Sequence, residues 1–275
     1  MKQDFTPIAQ QLQKTFNKAF YDRAHFIPIA KEVVDLFEGF RALLSQYTLC
    51  PNAAVQAEIL QTYYTQLQEH IFRSFCLLCQ EKADCTHCRQ KAQDIAAAFI
   101  RALPDIQKLL MTDLRAAYQG DPAAVSEIET LLCYPGIQAI TFQRMAHFLY
   151  QQGVRIVPRI ITEYAHSMTG IDIHPGAEIG RGFFIDHGTG VVIGETCVIG
   201  ENVKLYQGVT LGAKSFPLDE NGHPVKGIKR HPNLQDDVII YAETTILGPV
   251  TIGKASVIGA NKWITQDIPP FSKVH

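Results

Sequence analysis

The last hundred residues carry aliphatic side chains on a period of six. Ile173, Ile179 and Ile185 set it. Ile193, Ile199, Leu205 and Leu211 continue it, and Leu234, Ile240, Ile246, Ile252, Ile258 and Ile264 complete it. Six matches neither the 3.6-residue period of a helix nor the two-residue alternation of a strand. It is the step of a parallel β-helix, in which each hexad is one short strand plus a turn and the aliphatic side chain points into a prism. Gly180, Gly194, Gly200, Gly253 and Gly259 follow those residues, where the chain is expected to bend tightly. The period slips twice, by two residues between Ile185 and Ile193 and by seventeen between Leu211 and Leu234. A regular coil needs no insertions, so function is expected at the slips.

The preceding residues follow a helical period instead. Ile29, Val33, Leu36, Phe37, Phe40, Leu43 and Leu44 form one apolar stripe, and Val55, Ile59, Tyr63, Leu67, Ile71 and Phe75 a second. A third helix is predicted from Thr86 to Leu103, stopping before Pro104, and a fourth from there to Gly120. Asp121-Pro122 reads as an N-cap with proline at the first helical position. Tyr134-Pro135-Gly136 ends that helix, Ile137 begins the next, and a last one leads from Val157-Pro158 to Met168. The predicted class is α+β and multidomain. An all-α domain over 1–168 precedes a left-handed parallel β-helix of hexapeptide repeats over 169–275, with a loop extruded at 213–230.

Composition narrows the function. A net charge of −2 over 275 residues gives no basic field for nucleic acid or an anionic membrane. No apolar run is long enough to span a bilayer, and the N-terminus lacks a secretory h-region, so the cytoplasm is expected. Seven cysteines do not make a secreted disulfide framework here. Cys76, Cys79, Cys85 and Cys88 are spaced C-x2-C-x5-C-x2-C, a candidate structural zinc site set against buried, inert helix-packing cysteines.

A packed prism has no inner cavity, so chemistry belongs on its outer surface. Asp172 and His187 lie fifteen residues apart, and a coil takes about eighteen, which stacks them on neighbouring turns. A carboxylate beside an imidazole orients it and stabilises its protonated form. His174, at another turn, reads as an ordinary packed or surface residue. At the far end of the long insertion Arg230 brings a guanidinium suited to a carboxylate or phosphate.

The segments TDLRAAYQGDPAA (112–124), YPGIQAI (134–140), RMAHFLY (144–150), GIDIHPGAEIGRGFFIDHGTGVVIGET (170–196), YQGVTLGA (206–213) and KRHPNL (229–234) together resemble the serine O-acetyltransferase family. The resemblance covers about residues 100 to 265. It implies an acetyl-CoA-dependent O-acyltransferase that makes O-acetyl-L-serine and CoA, the first step from serine to cysteine, with no catalytic metal. It implies His187 as general base and Asp172 as its partner. Asp113 and Asp186 would hold the ammonium and hydroxyl end of L-serine, and Arg230 and His231 its carboxylate. Gly212 and Ala213 would open the loop along the CoA arm, with Ala242 and Lys254 in the same groove. It further implies a homotrimer with sites at the seams, joined through the helices into a hexamer. The family's C-terminal docking tail for O-acetylserine sulfhydrylase is not visible after FSKVH, so that complex is not expected.

Two other readings stand beside this one. A hexapeptide acetyltransferase for another small acceptor would share the coils but have no use for Asp113 or the Arg230-His231 pair. A β-helix metal hydratase would use histidines such as His187 and His223, thirty-six residues apart; His231, eight further on, is badly spaced to join them.

Overall fold

The computed structural model describes residues 4–15, 26–45, 52–79 and 86–275. Seven helices are described: α1 (Thr6–Thr15), α2 (Ala30–Leu44), α3 (Ala53–Leu78), α4 (Thr86–Gly120), α5 (Glu127–Cys133), α6 (Pro135–Gln151) and α7 (Ile156–Thr169). The first predicted stripe is the buried face of α2, from Val33 to Leu44. Its Phe37 and Phe40 pack on Phe99 of α4 with ring centroids 5.7 and 5.1 Å apart. No described helix is long and apolar enough to cross a membrane.

Two helix boundaries differ from expectation. Helix α4 runs through Pro104 without a break. An interior proline loses one backbone hydrogen bond and costs about 3 kcal/mol. Phe99, Leu103, Ile106 and Leu110, buried on both sides of it, hold the two halves in one line. Asp121 is not an N-cap: α5 starts at Glu127, capped by Ser126, whose side chain accepts from the Glu129 N–H. Asp121 instead turns the chain after α4, accepting from the Ala123 N–H at 2.8 Å. Tyr134-Pro135 does separate α5 from α6, with Pro135 at the first helical position.

Helix α7 ends on Gly170 in the left-handed region, φ 70°, and the first strand starts two residues later. Each of the thirteen periodic Ile and Leu positions lies in its own short strand. The strands form three parallel sheets, the faces of a left-handed prism. Face A holds β1 (Asp172–Ile173), β4 (Val192–Ile193), β7 (Thr210–Gly212), β10 (Thr245–Leu247) and β13 (Trp263–Ile264). Face B holds β2 (Glu178–Ile179), β5 (Val198–Ile199), β8 (Asn233–Leu234) and β11 (Thr251–Ile252). Face C holds β3 (Phe184–Ile185), β6 (Lys204–Leu205), β9 (Ile239–Ile240), β12 (Val257–Ile258) and β14 (Lys273–Val274), the last of which the periodicity did not mark. The register stacks like on like: Ile173, Ile193, Leu211, Ile246 and Ile264 form one interior column.

The small residues after these strands do a different job from the one expected. Gly180 and Gly194 are not in the left-handed region; that conformation falls to other turn residues, among them Asn202, Asp237 and Glu243. A Cβ on Gly180 would lie 2.5 Å from the carbonyl oxygen of Gly200, and one on Gly194 would lie 2.1 Å from the His231 ring. Close stacking of successive coils, not tight bending, excludes a side chain there.

Helices α4, α6 and α7 pack against the first coil, on β3 and β1. Arg144 of α6 carries much of this junction. It donates to Asp113 of α4 at 2.7 and 2.8 Å and to the carbonyls of Ile179 and Gly180 at 3.0 and 2.8 Å.

Candidate active site

The two slips of the period fall at two different corners of the prism. The two-residue slip lies where face C turns into face A. The extra residues let the chain loop out, with His187 at φ 58°, Gly188 at 91° and Gly190 at 81°. His187 is thus a non-glycine residue in a left-handed turn, a conformation histidine tolerates better than bulkier residues. Its side chain is 72% exposed, and Nε2 lies 3.9 Å from an oxygen of Asp186. The other Asp186 oxygen lies 3.4 Å from Lys204 Nζ. Lys204 also donates to the Gly120 carbonyl at 2.8 Å, tying the end of α4 to this corner. Its ammonium sits 4.7 Å over the Phe184 ring and 4.6 Å over Tyr206, which itself stacks on Tyr241 at 4.9 Å.

Two carboxylates on and just after α4 differ from expectation. Asp113 is fully buried, and both its oxygens are held by Arg144, with a further bond from the Phe183 N–H at 2.9 Å. Burial pushes its carboxyl above the ordinary value, against the pull of Arg144 and of the Phe183 N–H. It has no exposed face to offer a substrate ammonium, so the expectation for Asp113 is corrected: it forms a buried ion pair with Arg144. The accessible carboxylate is Asp121, just beyond the end of α4. It accepts from the Tyr134 hydroxyl, and that bond, then the Ala123 N–H, with Lys204 and His187 adding their charge, holds its carboxyl below the ordinary value. In the sequence Asp121, in QGDPAA, was read only as a helix N-cap.

Asp172 opens β1 beside this loop, its N–H bonded to the Val191 carbonyl at 2.9 Å. No hydrogen bond or ion pair joins its carboxylate to His187 among the described residues. The two sit on adjacent turns, as expected, without the contact the pairing requires.

The long insertion leaves the prism at the corner where face A turns into face B. Arg230 Nη2 donates to Glu195 at 2.5 Å, and the Tyr150 hydroxyl of α6 donates to the other Glu195 oxygen at 2.6 Å. Burial raises the Glu195 carboxyl, but these two donors outweigh it and leave it below its ordinary value. His231 is 7% exposed, and burial, then the Arg230 charge, lowers it to about 4. His174 sits beneath, edge-on to Tyr150 at 5.5 Å, accepting from the Gly176 N–H at 2.9 Å; burial lowers it to about 4 as well. Beside Arg230, a cleft of about 430 Å³ opens under the insertion, lined by Glu195, Phe216, Val225 and Lys226.

Face A separates the two corners. Gly212 and Ala213 lie at the second, where the insertion begins, and Ala242 at the first, after β9. Lys254 belongs to neither. It sits where face B turns into face C, its ammonium 3.7 Å from both Asp236 and Asp237, which corrects its assignment to the same groove. Of the cysteine cluster, Cys76 and Cys88 are buried and Cys79 half-buried, while Cys85 lies outside the described residues. Among the described residues no group of three or more His, Cys, Asp or Glu side chains is placed to hold a metal.

Residues 52–142 match the family model described as serine acetyltransferase, N-terminal. A plasmid serine acetyltransferase of Synechococcus elongatus is 61% identical over 183 residues, 66% of this chain and 57% of that protein. The serine acetyltransferase of Mycobacterium tuberculosis is 48% identical over 59% of this chain and 67% of its own length. The structure of Entamoeba histolytica serine acetyltransferase 1 in complex with L-cysteine superposes with a TM-score of 0.77 at 37% identity, covering 88% of this chain and 86% of that one. The chain belongs to the serine acetyltransferase family. The match spans little more than half of the Synechococcus plasmid relative.

Proposed function

We propose that this chain transfers the acetyl group of acetyl-CoA to the hydroxyl of L-serine, giving O-acetyl-L-serine and CoA. The observation that supports this most is the division of labour between the corners. One exposes an imidazole among carboxylates; the other holds a guanidinium and a neutral imidazole as fixed donors. A free amino acid needs both sets, acids for its ammonium and donors for its carboxylate.

A serine hydroxyl is a poor nucleophile because its proton is tightly held. His187, in its neutral form, takes that proton as the oxygen attacks the thioester carbonyl, help worth about 10² to 10⁴ in rate. The carbon–oxygen bond forms, the carbon–sulfur bond breaks, and the imidazolium returns the proton to the departing CoA sulfur. Asp186 and Asp121 receive the ammonium. Asp172 orients His187 once substrate closes the gap between them, so Asp172→Asn lowers kcat more than it raises KM for serine. Arg230 and His231 receive the carboxylate.

No bond within one chain connects the His187 corner to the Arg230 corner among the described residues. We therefore place the complete site between copies, one supplying His187 and the next Arg230, in a homotrimer whose helices pair it into a hexamer. Release of CoA from acetyl-CoA, measured with serine against a panel of other small alcohols and sugars, tests the reading. Serine turning over at least tenfold faster than the panel supports it. Equal rates across the panel favour a general acetyltransferase, and no release with any acceptor overturns it.

A further inference from the structure

The Arg230-His231 receptor is held by a residue whose own side chain meets no substrate in this scheme, Thr196 at the turn after β4. Its hydroxyl oxygen accepts from the backbone N–H of Arg230 at 3.0 Å and from that of His231 at 3.2 Å. The same hydroxyl lies 2.9 Å from His231 Nδ1, and the Thr196 backbone N–H donates to that nitrogen at 3.1 Å.

Counting donors and acceptors settles the protons. A hydroxyl has one proton and two acceptor lone pairs. Both lone pairs are used by the two backbone N–H groups, so the O–H is directed at Nδ1. Nδ1 then faces two donors and cannot itself carry a proton. The imidazole proton is therefore on Nε2, the nitrogen left to act as a donor. The ring lies flat over Gly194, where a Cβ would come within 2.2 Å of Nε2, so only glycine at 194 admits it in this position. Lys229 closes the back of the turn, donating to the Thr196 carbonyl and to Asn233 Oδ1 at 2.6 Å.

We infer that Thr196 is a positioning residue for substrate recognition: it fixes His231 as a neutral Nε2–H donor and sets the backbone from which Arg230 projects. The inference rests on the serine reading and sharpens it. A neutral fixed donor beside one guanidinium, itself paired with Glu195, recognises a single carboxylate through directed bonds rather than through excess charge.

Two measurements test this, one independent of activity. Histidine labelled with ¹⁵N in the intact protein, with His231→Asn to assign the signal, reports the tautomer by magic-angle-spinning resonance. The Nε2-protonated neutral form at pH 7 is expected; an Nδ1-protonated or doubly protonated ring overturns the inference whatever the enzyme acetylates. Thr196→Val keeps the shape and removes the hydroxyl. KM for serine should rise about tenfold to a hundredfold, the usual range for leaving a polar partner unsatisfied, with KM for acetyl-CoA within threefold of the parent. Thr196→Ser restores the hydroxyl and should bring KM for serine back to within threefold. An unchanged KM for serine in Thr196→Val, equal losses for both substrates, or no rescue by serine refutes the positioning role. A parent that shows the expected tautomer yet no serine turnover would refute the serine reading alone.

Discussion

The two corners of the prism each carry a histidine, and the two histidines are opposites. His187 stands 72% exposed in a left-handed turn, held only loosely by Asp186 at 3.9 Å. His231 is almost wholly covered, its Nδ1 locked by two donors from Thr196 and its protonation pushed out of reach at neutral pH. The same side chain stands open beside a carboxylate at one corner and is a fixed donor at the other, where burial denies it charge. The difference comes from the insertion that each corner accommodates. Two extra residues lift His187 off the prism, and seventeen return the chain so that His231 folds back onto Gly194.

The sharpest break of this contrast is His187→Ala. It should lower kcat by about 10² to 10⁴, the range for a lost general base, with circular dichroism and melting unchanged because the side chain lies outside the prism. Activity within tenfold of the parent would leave the two histidines without distinct roles. Next comes mixing of variants. If one copy supplies His187 and its neighbour Arg230, coassembly of inactive His187→Ala chains with Arg230→Ala chains yields some intact sites. Random 1:1 assembly regenerates about a quarter of parental activity in a cyclic oligomer. No recovery after co-refolding would put both corners to work within one chain, or neither.

A third variant separates structure from recognition. Asp113→Ala strands Arg144 in the interior and should cost about 3–5 kcal/mol, lowering the melting temperature by about 10 °C, while Asp121→Asn leaves melting unchanged and raises KM for serine. A stable Asp113→Ala protein with a serine defect would return Asp113 to the site. The smallest effect is on stability against pH. His231 and His174 titrate near 4 when folded and near 6.5 when unfolded, so the unfolded chain binds more protons between those values. Their contribution is fully present above about pH 6.5 and is lost as pH falls toward 4. Melting followed across that window should show a slope that His231→Asn reduces; an unchanged slope would mean that His231 is not held neutral.

Asp186 and His187 were singled out because they lie in one interruption of the period, and Arg230 and His231 because they end the other; Asp172, inside the regular hexads, was read only from its spacing to His187. Asp113 was misread because a charged residue inside a family-like segment looks the same whether it faces a ligand or a buried arginine thirty-one positions away. Asp121 was passed over because Asp-Pro reads as an ordinary helix N-cap. The signal that could have found it is its place just after the glycine that ends α4, where a chain leaving a helix exposes its side chains. Thr196 and Glu195 carried no signal beyond a turn in the hexad pattern. Their partners arrive from thirty-five residues later, across an insertion whose path no local rule predicts.

The hexad alone determined the β-helix, since a period of six admits one way of stacking short strands with their aliphatic side chains inward. It also placed the two interruptions, and with the surrounding motifs it identified the family. Tertiary structure alone decided which charges are buried, which histidine is exposed and which is covered, and that the two interruptions fall at different corners of the prism. Periodicity is a property of the backbone's local repeat and is written into neighbouring residues. Protonation and pairing depend on what folds over a side chain, and the residues that do so here lie tens of positions away.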